Sequence, residues 1–178
     1  MAGGTTNQTN KTSGFLNPSN KFSYCDLPPL DPYRTRHSMT GLMACGGIED
    51  GVGTSCSTFN TVRGVWEESY QFSTRRYEHV AWNTSEGVLL MGGGDYSSYM
   101  TTTLLLPGGG SRPGFLLKTS CYSCCAAVDP YTNTIILSSG SSVERYGMRG
   151  YLETLPSPSY SRSNHACAIY YTDYKMPV

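Results

Sequence analysis

Short apolar runs, several of them closed by glycine, serine or asparagine, set the rhythm of this chain. Val88-Leu89-Leu90-Met91 stops at Gly92-Gly93-Gly94, and Thr134–Leu137 stops at Ser138-Ser139-Gly140. Runs of this length between turn residues predict buried strands, and no segment sustains the three-and-four spacing of a helix. The middle of the chain reads as strands over His79–Trp82, Val88–Met91, Thr101–Leu106 and Phe115–Leu117, with a turn at Asn83–Gly87. Upstream, His37–Met39 and Leu42–Cys45 lead into Gly46-Gly47, and Cys56–Asn60 and Gly64–Trp66 follow. Downstream, Cys125–Val128, a turn at Asp129–Asn133, Thr134–Leu137, Arg145-Tyr146 and Gly150–Leu152 keep the same order. The fold class is all-β. Residues 1–24 are polar and aperiodic and are expected to form a flexible tail before a repeat segment over 25–178.

The strand pattern carries a period. Arg34–His37, Arg76–His79 and Arg162–His165 share the spacing Arg-x-x-His, with their histidines 42 and then 86 residues apart. One copy is therefore missing at the midpoint of the longer interval, where Cys125 stands near the expected histidine. Leu27-Pro28-Pro29-Leu30 precedes the first copy as Leu155-Pro156-Ser157-Pro158 precedes the last. Repeats of about 40–50 residues are the mark of propeller blades or solenoid units.

The order Arg-x-x-His, apolar strand, double glycine and then tryptophan resembles the kelch repeat. Arg34, His37, Gly46, Gly47 and Trp66 carry it first, Arg76, His79, Gly92 and Gly93 next, and Arg162 and His165 last. The resemblance implies four-stranded blades of a β-propeller, with units starting near His37, His79, Cys125 and His165, and a role as a protein-interaction platform. It also implies that these motif residues are structural: glycines for close backbone approach, tryptophan for packing between blades, histidine and arginine for satisfying backbone groups. About three and a quarter units are fewer than the four to eight blades of a closed ring. The expectation is thus an incomplete propeller: truncated, a fragment, or completed by a partner or a second copy.

Composition narrows the function. Only 15% of the 178 residues are charged and the formal net charge is zero, without like-charge runs, so a nucleic-acid surface has no electrostatic basis. The apolar runs are too short to span a bilayer. Seven cysteines and acceptor triplets at Asn7, Asn10 and Asn83 favour export, whereas Met1–Phe15 contains no apolar signal core. The compartment stays open: cytoplasmic with reduced thiols if Met1 is the true start, extracellular if the chain is a fragment of an exported protein.

Cys121, Cys124 and Cys125, with His165 and Cys167, have the donor types of a zinc site, but the repeat places Cys125 and His165 alike for packing reasons, and no metal or cofactor is expected. A disulfide between Cys45 and Cys56, across one loop, competes with free buried thiols; Cys125 and Cys167 form a second, weaker pair. The repeat uses all three histidines, leaving none for a hydrolytic site or for a copper site like that of galactose oxidase, and Gly108-Gly109-Gly110 lacks the lysine of a phosphate loop. The chain reads as a non-enzyme. Its binding face is expected on the loops holding Glu49-Asp50, Arg75, Tyr77, Asp95, Tyr96, Tyr99, Tyr122 and Tyr160, a composition suited to recognising a protein or peptide. Adaptor roles are common in the kelch family, although no adaptor domain accompanies the repeats here. The alternative is an extracellular galactose-oxidase-like module that binds glycan, or the remnant of an enzyme.

Overall fold

The computed structural model describes residues 13–16, 24–49 and 51–169, and among them there is strand, turn and bend but no helix. Three four-stranded antiparallel sheets follow one another, each a meander whose strands lie in chain order, and none closes into a barrel. The first comprises β3 (Ser38–Thr40), β4 (Met43–Cys45), β5 (Ser55–Asn60) and β6 (Val65–Gln71). The second comprises β7 (Val80–Thr84), β8 (Gly87–Met91), β9 (Thr102–Leu105) and β10 (Ser111–Pro113). The third comprises β11 (Cys125–Asp129), β12 (Thr134–Ser139), β13 (Ser142–Gly147) and β14 (Gly150–Leu155).

Ahead of them β1 (Ser13–Leu16) pairs antiparallel with β2 (Tyr24–Leu27). Part of the expected tail is therefore strand; a two-stranded ladder is closed by backbone groups and needs no apolar period to announce it. The remainder of residues 1–24 lies outside the described residues.

The unbroken apolar runs exist because the middle sheet is buried on both faces. Successive side chains of β8 alternate sides, so Leu90 packs with Leu105 against Met43, Cys45, Cys56 and Phe72 of the first unit. Leu89 and Met91 turn the other way, with Trp82 and Leu104, onto Ile135, Leu137 and Tyr146 of the third sheet. Leu30, Ala44 and Trp66 fill the far side of the first sheet. Trp66 also donates from Nε1 to the Pro28 carbonyl at 3.1 Å, tying the proline-containing entry segment to the outer strand. The first strands of the three sheets, β3, β7 and β11, lie side by side, which puts the loops that enter each unit next to one another.

The fourth strand of the middle sheet is β10, not the expected Phe115–Leu117. Leu117 is buried in the core while Leu116 is 71% exposed, so these residues cap the seam as irregular chain. Beyond Leu155 the expected fourth unit shows no strand through 169; Gly140 and Arg162 form an isolated bridge, and residues 170–178 lie outside the described residues.

Candidate functional site

Arg34 and Arg76 are 1% and 0% exposed, and each braces the loop between the second and third strands of its own unit. The Arg34 guanidinium donates to the carbonyls of Gly46 (3.0 Å), Val52 (2.8 Å) and Ser55 (2.9 Å), and to the hydroxyls of Ser55 and Ser57. Arg76 repeats the arrangement on Gly92 (2.6 Å), Ser98 and Thr101 carbonyls and on the Thr101 and Thr103 hydroxyls. Burial pushes both guanidiniums down to about 10, which leaves them charged at neutral pH. They convert carbonyls that strand pairing cannot reach into satisfied acceptors, which a buried loop requires.

A backbone seam then joins each unit to the next. The Gly47 amide donates to the Arg76 carbonyl at 2.9 Å and the Gly93 amide to the Cys121 carbonyl at 2.7 Å. A Cβ on Gly46 would collide with the Arg76 carbonyl and one on Gly92 with the Cys121 carbonyl, and both glycines have positive φ. The double glycines are thus required by the approach of the neighbouring unit.

These contacts relocate the missing repeat copy. Cys121 occupies the place of Arg76 in the seam, and Cys125 pairs with Ser138 as Ser38 pairs with Cys45 and Val80 with Met91. Cys124, not Cys125, therefore stands where His37 and His79 stand. The backbone agrees: Arg36, Glu78, Ser123 and Asn164 all have φ between 50 and 54°, each immediately before His37, His79, Cys124 or His165. The third copy is Cys121-x-x-Cys124, and its two cysteines are joined in a disulfide.

The exchange has a physical reason. In the third sheet the turn between its second and third strands is only Gly140-Ser141, so no bulky loop offers carbonyls to a guanidinium. Glu144 takes the place of Ser57 and Thr103, buried at 4% exposure, and accepts from the hydroxyls of Thr119, Ser142 and Tyr146.

The histidines work across seams. His79 is 6% exposed and its Nε2 lies 2.6 Å from Ser38 Oγ of the preceding unit. Burial first, then the charges of Arg76 and His37, push the His79 imidazole down to about 3, so it is neutral. Burial lowers His37 as well. His165 contacts Ser138 Oγ at 3.0 Å, on the second strand of the third sheet, where Cys125 holds the position equivalent to Ser38. Arg162 is exposed, and its backbone amide donates to the Gly140 carbonyl at 3.1 Å, unlike the buried Arg34 and Arg76.

The second position of the repeat, between the arginine and the histidine, is Tyr77 in the middle unit and Tyr122 in the third. Because the entry loops adjoin, these rings meet edge-on with centroids 6.3 Å apart. Tyr99, from the loop between β8 and β9, lies 4.8 Å from Tyr122, and Tyr96 lies 5.4 Å from Tyr99. Four tyrosines from three loops form one continuous rim, from half-buried Tyr77 and Tyr99 to Tyr96 at 92% exposure.

Asp95 closes the rim, accepting from Ser97 Oγ at 2.6 Å; that bond, then those from Ser98, keeps its carboxyl below the usual range despite some desolvation. Desolvation, followed by Tyr77, Tyr96, Asp95 and Glu78, holds the Tyr99 hydroxyl above its ordinary value, so the ring remains a phenol. Arg36 pairs with Glu78 at 2.8 Å, and Ser123 Oγ donates to Glu78. This end of the molecule offers stacked aromatic faces edged by carboxylates and hydroxyls.

Of the residues singled out for binding, Tyr77, Asp95, Tyr96, Tyr99 and Tyr122 come together. Tyr160 is exposed on the segment after the third sheet and makes no ring contact among the described residues. Glu49, at the position equivalent to Asp95, accepts from the Thr35 amide at 2.8 Å and from its hydroxyl, so it is committed to the entry loop of the first unit. Asp50 lies outside the described residues. Glu78, which ties the rim together, lacked a sequence signal because its position in the repeat holds a different residue type in each unit.

Six cysteines form three bridges. Cys45–Cys56 links directly opposed residues of β4 and β5, Cys121–Cys124 closes the loop that presents Tyr122, and Cys125–Cys167 ties β11 to the segment after the third sheet. The zinc candidates divide: Cys121 packs in the core between the second and third sheets, bridged to Cys124, while the donors of Cys125, His165 and Cys167 gather elsewhere.

No protein-family model and no curated protein matches the chain. Among solved structures, one described as the structure of YjhT superposes with a TM-score of 0.67 over 79% of this chain, at 10% sequence identity. The chain spans 58% of the length of that structure. At this identity the likeness is one of fold.

Proposed function

We propose that the three sheets are consecutive kelch-type blades of a β-propeller and that the chain is a non-enzymatic scaffold which binds a protein or peptide on its tyrosine rim. One observation carries the proposal: the repeat aligns Tyr77 and Tyr122 on adjoining entry loops and Tyr99 joins them, giving a continuous aromatic surface at one end of the stack. Tyrosine brings large contact area with few rotatable bonds, and such rings dominate binding energy where they cluster. Closed rings of this kind use about four to eight blades, so the proposal includes further blades, from a longer form of this chain, a second copy or another chain.

The three disulfides favour an oxidising compartment and keep a glycan as the second reading, since exposed tyrosine faces also stack on sugar rings. Selection of a displayed peptide library on the oxidised chain, beside a glycan array, separates the two. Enriched peptides should lose about tenfold or more in affinity to Tyr99→Ala or Tyr122→Ala. Peptides that bind those variants unchanged would sink the rim as a peptide site, and glycans with tyrosine-dependent binding would replace the first reading by the second.

A further inference from the structure

Cys125, His165 and Cys167 converge where the chain after the third sheet folds back onto β11. Their donor atoms all lie within 4.8 Å of one another. Cys125 and Cys167 are bridged, with Cα atoms 5.5 Å apart. His165 Nε2 contacts Ser138 Oγ at 3.0 Å, and Ser138 is the residue directly opposite Cys125 in the ladder. His165 Nδ1 is buried and has no hydrogen-bond partner. With Nε2–H donating to the serine, Nδ1 carries the lone pair, so one nitrogen orients the ring and the other is available as a ligand.

His79 makes a comparable contact with Ser38, on the first strand of its preceding unit rather than the second, with its Nδ1 likewise unpartnered. At His165 the position equivalent to Ser38 is Cys125, which brings the pair of sulfurs beside the ring. Two thiolates and an imidazole are the donors of tetrahedral zinc. Bonds of about 2.0–2.3 Å around a tetrahedral ion separate its ligand atoms by roughly 3.4–3.8 Å, so on reduction the two sulfurs must part by roughly 1.5–2 Å from their bonded separation, while the imidazole draws in by about an ångström. Because Cys125 and Ser138 face away from the second sheet, the core residues between the sheets stay in place.

We propose that this cluster has two states: a disulfide when oxidised and a zinc site when reduced. A dithiol donates two electrons to the Cys125–Cys167 bond and closes into its own cyclic disulfide, leaving two cysteine thiols. Zn2+ then displaces both thiol protons to solvent, forming two Zn–S bonds and one Zn–Nδ1 bond, with water as fourth ligand. The Cys121–Cys124 pair takes no part.

Cobalt reads the site directly. The full chain, reduced by a dithiol and freed of it under anaerobic conditions, should bind one equivalent of Co2+. The complex should show near-ultraviolet thiolate charge transfer and the intense visible bands of tetrahedral cobalt, both abolished by Zn2+. The spectrum should persist in Cys121→Ser/Cys124→Ser, vanish in Cys125→Ser/Cys167→Ser, and need at least about 10–100-fold more metal in His165→Ala. The oxidised chain should bind none.

A reduced chain that loses its fold remains informative, because zinc should then restore far-ultraviolet dichroism in the wild type and in Cys121→Ser/Cys124→Ser alone. The proposal is overturned by octahedral cobalt spectra, by binding that follows Cys121 and Cys124, or by zinc that alters neither absorption nor melting.

Discussion

The second and third units share strand order, register and the positive-φ residue just before the histidine position, yet they brace themselves by opposite means. In the second, Arg76 gathers the carbonyls of Gly92, Ser98 and Thr101 from a long loop. In the third, Cys121 and Cys124 are cross-linked and the corresponding turn is two residues long. A repeat position conserves a task rather than a residue type. The arginine is present where a loop brings unpaired acceptors inward, and it is dispensable where a tight hairpin pairs its own backbone.

The comparison breaks most visibly at Arg76. Arg76→Ala should cost about 3–5 kcal/mol, because it strands buried carbonyls and the space they surround; denaturant titration reads it. Shortening the loop over residues 94–100 to a two-residue turn should shrink that penalty severalfold. An unchanged penalty in the shortened background would refute the account of why the third unit does without arginine.

Acid should act on the second unit and spare the third, whose equivalent residue is Cys124. His79 stays neutral in the folded chain, while its unfolded imidazole takes up a proton below about pH 6.5. Stability should therefore be lost as pH falls from about 6.5 towards 3, by about 2 kcal/mol for this residue at pH 5, with His37 adding in the same direction. Melting temperatures of His79→Gln should show a flatter slope between pH 7 and pH 5.

Cutting the cross-link with Cys121→Ser/Cys124→Ser should cost about 2 kcal/mol, the chain-entropy contribution of so short a loop. Calorimetry compares it with Arg76→Ala, and a loss as large would erase the difference between the two braces. The smallest effect lies on the rim. A double-mutant cycle of Tyr99→Ala with Tyr122→Ala should give a coupling of about 0.5–1.5 kcal/mol for one ring pair, and no coupling would mean that the rings share a neighbourhood without sharing energy.

Much of this arrangement was readable from residues alone. The apolar runs marked the strands because double-sided burial leaves no room for polar alternation, and the double glycines marked the approach of the next unit. Two features were hidden. The residues alone put the third repeat copy one position late, since Cys124-Cys125-Ala126-Ala127 offers no polar landmark and only the pairing of Cys125 with Ser138 fixes the register. Phe115–Leu117 resembled a strand because hydrophobicity reports burial rather than pairing, and Leu117 is buried without a ladder partner. The rim was legible as a list of tyrosines but not as a surface, because contact between Tyr77 and Tyr122 depends on two entry loops 45 residues apart in the chain.

The left-handed residue ahead of each histidine position has a consequence for how such a chain can change. The Glu78 amide donates to the Arg36 carbonyl at 2.8 Å, and the Ser123 amide donates to the Glu78 carbonyl at 3.3 Å. This part of the joint is written in main-chain atoms that every residue type supplies, and arginine, glutamate, serine and asparagine all occupy it. The side chains there add a second layer, Arg36 pairing with Glu78 and Ser123 donating to it, over a main-chain joint that does not depend on them. Units joined in this way can be duplicated, exchanged or given a new recognition residue without a new seam having to evolve, in keeping with the nearest-neighbour energetics of repeat chains.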